Sequence, residues 1–183
     1  MNAEEQGLPA IDITVQAGDW PDEAAVHELV EPAVAAAIAA LSTFRAPRNL
    51  SPSPSPKGGG EFSRARLKSG SELSILFTDD EAIRRLNAQY RGNDNPTNVL
   101  SFPQASGLLL GDIVLAYETV RDEAALAEKP LKAHMAHLIV HGFLHLIGYD
   151  HESEEEAAEM EALERAALRL MDIADPYAAA QEL

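Results

Sequence analysis

The 183-residue chain contains no cysteine, so neither a disulfide framework nor a thiolate metal site is open to it. Cationic side chains are scarce. Fourteen Lys and Arg stand against 30 Asp and Glu, for a formal net charge of −16. That balance excludes a protein that coats nucleic acid by bulk electrostatics, and no DNA partner is expected. A run of about eighteen uninterrupted apolar residues is also missing, so no membrane partner is expected. The opening MNAEEQGLPA has neither the positive flank nor the apolar stretch of an export signal, which predicts a cytoplasmic location. What is present, 46% apolar residues over this length, suits one compact domain spanning 1–183.

The acidic average hides a pattern. Residues 1–44 carry eight acids and no Lys or Arg, and residues 112–183 carry sixteen acids against five bases, whereas residues 45–91 hold nine bases against five acids. A polyanionic substrate would approach that middle region or a bound metal itself. Within it, SPSPSPKGGG combines Pro–Ser alternation with a glycine run. That composition predicts a flexible insertion over about 43–70, with Arg45, Arg48, Lys57, Arg64, Arg66 and Lys68 around it. A loosely ordered C-terminal tail is expected from about residue 172.

Period-two patterning predicts strands at Ile11 to Gln16 and Glu72 to Phe77, and short apolar runs predict two more at Val99 to Phe102 and Leu108 to Ala116. Gly111 and Asp112 interrupt the last of these. Either the strand bulges there or the acid serves a neighbouring site. Helical periodicity marks Asp22 to Leu41, a segment capped by Thr78 or Asp79 and running through Tyr90, Tyr117 to Glu128, and Leu131 to about Ile147. Ser153 with Glu156 forms a capping box for a last helix to about Met171, with Leu163, Ala167 and Leu170 on its inner face. The order of elements gives an α+β (mixed α/β) domain: a small four-stranded sheet packed with about five helices.

The chemistry concentrates in the apolar helix. His134, His137, His141 and His145 are spaced by three, four and four residues and fall in one stripe. His141 and His145 stand one turn apart, the spacing at which two imidazoles grip one ion, and Gly148 can turn the chain so that His151 closes the site. Three imidazoles leave a coordination position open, as a catalytic zinc requires. His134 and His137 suit roles in the core or behind the ligands. The H-x-x-x-H-x-x-G-x-x-H spacing is that of the metzincin proteases, but Gly142 stands where they carry their glutamate base. A peptidase therefore ranks below another hydrolase.

The stretch HMAHLIVHGFLHLIGYDH from His134 to His151 resembles the bacterial YbeY-type endoribonucleases. So do Leu86-Asn87, Tyr90-Arg91-Gly92, Asp94, the run from Pro96 to Pro103, and Gly111-Asp112-Ile113. The resemblance is close over about residues 72–171. It implies a single-strand-specific, metal-dependent RNase that matures the 3′ end of small-subunit ribosomal RNA and acts in ribosome quality control. One zinc ion would then sit on His141, His145 and His151, and the family's functional arginine maps onto Arg91. Single-stranded RNA, the ribosomal small subunit and its assembly factors are the partners implied. Two other readings stand beside it: a zinc metallopeptidase-like hydrolase, and a non-catalytic ribosome-assembly adaptor stabilised by a metal.

Overall fold

The computed structural model describes residues 8–43, 67–104 and 107–178. Most of the expected insertion at 43–70, with Arg45, Arg48, Lys57, Arg64 and Arg66, lies outside these residues, as do residues 179–183. Among the described residues four strands form one sheet: β1 (Ala10–Val15), β2 (Glu72–Thr78), β3 (Val99–Pro103) and β4 (Leu109–Ala116). Five helices of the described residues accompany them: α1 (Glu23–Thr43), α2 (Asp80–Arg91), α3 (Tyr117–Leu126), α4 (Leu131–Leu146) and α5 (Glu154–Leu170). The expected α+β class is the one observed.

The sheet runs β1-β2-β4-β3, with the first three parallel and β3 antiparallel to β4 at the edge. Alternation sorts its side chains. Leu73, Ile75, Phe77, Ile113 and Leu115 face the main core with α1, α4 and α5, while Val114, Ala116 and Leu100 meet Ile83 of α2 on the other face. Because both faces of β4 are covered, it reads as a nearly continuous apolar run rather than an alternating one. The interruption in β4 is a bulge. Glu72 pairs with Leu109 and Leu73 with Gly111, so Leu110 is the extra residue and Asp112 returns to register opposite Ser74.

Helix α1 is long and apolar enough to span a bilayer by length and composition. Its Val26, Leu29, Val30, Val34 and Ile38 are nonetheless buried in the domain, which makes it a core helix. Helix α4 is buried more completely still, packing against α1, α3, α5, β3 and β4. Helix α5 begins with the expected capping box, in which the Ser153 hydroxyl accepts from the Glu156 amide and the Glu156 carboxylate accepts from the Ser153 amide. Ser153→Ala removes half of that exchange and is expected to lower stability by about 1 kcal/mol, read as a fall of roughly 2–4 °C in thermal melting.

One expectation is corrected at the C-terminal side. Leu163 and Ala167 are fully buried, but Leu170, the last residue of α5, is 60% exposed. Within residues 172–178, Pro176 O accepts from Lys129 Nζ at 2.6 Å, and Asp175 Oδ2 lies 3.3 Å from Arg165 Nε.

Candidate metal centre

Three imidazoles meet where α4 ends. One ring nitrogen from each of His141, His145 and His151 lies within 4.8 Å of the others, so one ion could be held between them. The ring centroids of His141 and His145 are 4.6 Å apart, and His151 stands 5.5 Å from the first and 5.0 Å from the second. His141 and His145 share a face because they are one turn apart. His151 is brought in by the turn at Gly148, whose φ of 103° lies in the region that side-chain-bearing residues rarely adopt. Asp150 steadies that turn by accepting the His151 amide at 2.9 Å. His141 and His145 are half-buried and His151 is exposed, so the cluster opens to solvent on the His151 side.

The hydrogen bonds settle which nitrogens face inward. His141 Nδ1 donates to Glu164 Oε1 at 2.8 Å, and His145 Nδ1 donates to the Tyr149 carbonyl at 3.0 Å. Both acceptors lack hydrogen, so both Nδ1 atoms carry the proton and both Nε2 atoms present lone pairs when the rings are neutral. Those two Nε2 atoms stand 3.1 Å apart. Two lone pairs at that distance repel each other, and a cation between the rings turns the repulsion into attraction. The donor set therefore fits a metal ion. Burial, with His141 and His151 close by, lowers the His145 pKa to about 4, which keeps its imidazole in the neutral state a metal needs.

Glu164 is the residue sequence reasoning missed. It is 1% exposed on the inner face of α5, and besides His141 it accepts from His137 Nε2 at 2.9 Å and from the Tyr177 hydroxyl. Burial would raise its pKa, but the hydrogen bonds from His137 and His141 outweigh that and hold it at about 2. His134 is separate from this group. Its Nε2 lies 2.8 Å from Glu123 Oε2, and burial lowers its pKa against that carboxylate. The carboxylate that orients a ring of the cluster is thus Glu164, while Asp112 lies half-buried in β4 after the bulge.

Arg91 closes α2 and is exposed, its Nη2 donating to Ser101 O at 3.1 Å. Ser101 in turn reaches α4, its hydroxyl donating to Gly142 O at 3.4 Å. Edge strand β3 thus ties the guanidinium to the turn of α4 that carries His141. Gly142 permits this approach. A Cβ built there would lie 2.9 Å from Ile113 Cγ2 and 3.2 Å from Ser101 Oγ.

A small α+β domain that gathers three imidazoles around a solvent-facing point, with a carboxylate behind one ring and an arginine tied through Ser101 to the helix that carries two of them, has the build of a metal-dependent hydrolase. The family model for endoribonuclease YbeY matches residues 61–172. The endoribonuclease YbeY of Sinorhizobium medicae is 45% identical over 91% of this chain and 94% of its own length, and that of Chelativorans sp. is 46% identical over 92% and 93%. That of Rhodopseudomonas palustris is 57% identical over 60% of this chain and 62% of its own. A Thermotoga maritima protein of known solution structure superposes with a TM-score of 0.49 at 22% identity, covering 91% of this chain and 97% of that one. The chain belongs to the endoribonuclease YbeY family.

Proposed function

We propose that this chain is a cytoplasmic, single-strand-specific endoribonuclease that matures small-subunit ribosomal RNA at its 3′ end and takes part in ribosome quality control. Its ligands are His141, His145 and His151, and its metal is zinc, which suits a set of neutral imidazoles with an open position. The observation that carries the reading is the facing pair of Nε2 lone pairs, fixed by Glu164 and the Tyr149 carbonyl, in a chain of this family. When bound, the metal supplies Lewis acidity toward a phosphoryl oxygen. Arg91 is the residue that binds the same phosphate in this reading, supported by its link through Ser101 to α4, and its fork donates to charge that grows in the transition state. Exposed Tyr90, in edge contact with Phe102 at 5.1 Å, offers a face for an unpaired base beside that arginine.

The net charge of −16 means that RNA is not held by bulk attraction. The small subunit and its assembly factors present the strand, and the basic 45–91 region supplies local attraction. The peptidase reading is weakened by Gly142, and the adaptor reading by the open side of the cluster at His151.

The test is cleavage of a labelled single-stranded ribosomal RNA fragment by metal-assayed protein, with Arg91→Ala and His141→Ala prepared identically. Arg91→Ala is expected to keep its metal and lose roughly a hundredfold or more in kcat, with Arg91→Lys recovering only part because one ammonium cannot form the bidentate fork. Equal cleavage by all three preparations, or none from wild type with intact small subunits and added metal, sinks the nuclease reading.

A further inference from the structure

Helix α5 presents an apolar face to the core, yet one position on that face is an acid. A buried carboxylate is costly unless its oxygens are satisfied, and a leucine would fill the space without that cost. Glu164 meets the condition with three donors: His141 Nδ1 on Oε1, and His137 Nε2 together with the Tyr177 hydroxyl on Oε2. Two of the three donors do not belong to the imidazole cluster. Tyr177 comes from beyond α5 and is itself held in place, with the Arg165 guanidinium 4.8 Å over its ring and Asp175 beside that guanidinium. Lys129, in the turn between α3 and α4, holds Pro176 from the other side.

We propose that Glu164 is the positioning residue of the metal centre, and that residues 172–178 are a strap that fixes it through Tyr177. This rests on the ligand assignment proposed above. A carboxylate with one oxygen free to rotate can offer His141 either oxygen at a range of angles, and the imidazole then swings with it. Two donors on Oε2, delivered from α4 and from the strap, leave Oε1 a single direction, and that direction aims His141 Nε2 at the shared point. The anionic partner also strengthens His141 as a donor to a cation. His137, which sequence spacing places in the histidine stripe but outside the ligand set, thereby acquires a task.

The test measures metal affinity and geometry apart from RNA cleavage. Wild type, Tyr177→Phe and Glu164→Gln are titrated as full chains with Zn²⁺ against a chromophoric chelator, and the visible spectrum of each is recorded with Co²⁺. Tyr177→Phe keeps the ring on Arg165 and His137 and removes only the hydroxyl. It is expected to weaken Zn²⁺ binding about tenfold, and Glu164→Gln about 10–100-fold, with both shifting the Co²⁺ bands. A strap that merely steadied the fold would lower the melting temperature of metal-free protein and leave affinity and spectrum at the wild-type values, and that result overturns the proposal. Should Glu164→Gln not fold, Tyr177→Phe decides alone. A wild type that takes up no metal overturns the ligand assignment itself, whereas one equivalent bound equally well by wild type and Tyr177→Phe overturns only the positioning role.

Discussion

His145→Ala is expected to yield a folded protein that no longer holds one equivalent of metal and cuts single-stranded RNA at least about a thousandfold more slowly, because two imidazoles cannot replace three around one ion. The fold should survive. His145 is half-buried at the last turn of α4, it gives up one hydrogen bond to the Tyr149 carbonyl, and alanine is the better helix former. Relief of the crowded His141, His145 and His151 rings offsets part of the lost packing. This separation of fold from turnover tells an enzyme from an adaptor. Circular dichroism and elemental analysis read the first two outcomes, and single-turnover cleavage reads the third. A variant that unfolds and leaves the small subunit together favours the adaptor; one that retains its metal and cuts at the wild-type rate removes His145 from the ligand set.

What the sequence made legible was what repeats. Every strand and helix over the described residues lies within two residues of its expected bounds, because period-two and period-3.6 patterning report burial directly. The histidine cluster was legible for the same reason: an i, i+4 pair and a glycine turn are local facts of the chain. The order β1-β2-β4-β3 was not legible, since the crossover that places β4 between β2 and β3 leaves no local mark. Glu164 was hidden among the acids of α5. Only its place next to Leu163 and three residues before Ala167, on the buried face, distinguishes it from the solvated Glu154 or Glu155, and an acid is ordinarily assigned to solvent. Leu170 misled in the opposite sense, an apolar residue that continues the stripe at the last position of α5 yet is 60% exposed. Tyr177 lies past the last helix, where no periodicity points inward, and its role depends on a contact thirteen residues back.

Gly142→Glu, the substitution that would restore the protease spacing in full, is expected to destabilise the domain by about 4 kcal/mol or to prevent its folding, and to yield no peptidase. The space for the side chain does not exist. Its Cβ alone would stand 2.9 Å from Ile113 Cγ2, 3.3 Å from Ile113 Cδ1 and 3.2 Å from Ser101 Oγ. Ile113 is fully buried in a central strand and cannot retreat, and Ser101 is tied to both Gly142 and Arg91. A glutamate there would bring its charge between α4 and the sheet with a single hydroxyl to meet it, far short of what a buried carboxylate needs. Gly142→Ala separates volume from charge. Alanine gains up to about 1 kcal/mol in helix propensity, yet the close approach is expected to outweigh it and leave a net loss of roughly 1–2 kcal/mol in chemical denaturation. Backing α4 away from β3 would also lengthen the link from Ser101 to Gly142, so the alanine variant should lose RNA cleavage beyond what its stability explains. If Gly142→Glu instead folds at wild-type stability and hydrolyses a denatured protein substrate, α4 is not seated against β3 as closely as the contacts require, and the case against the peptidase falls with it.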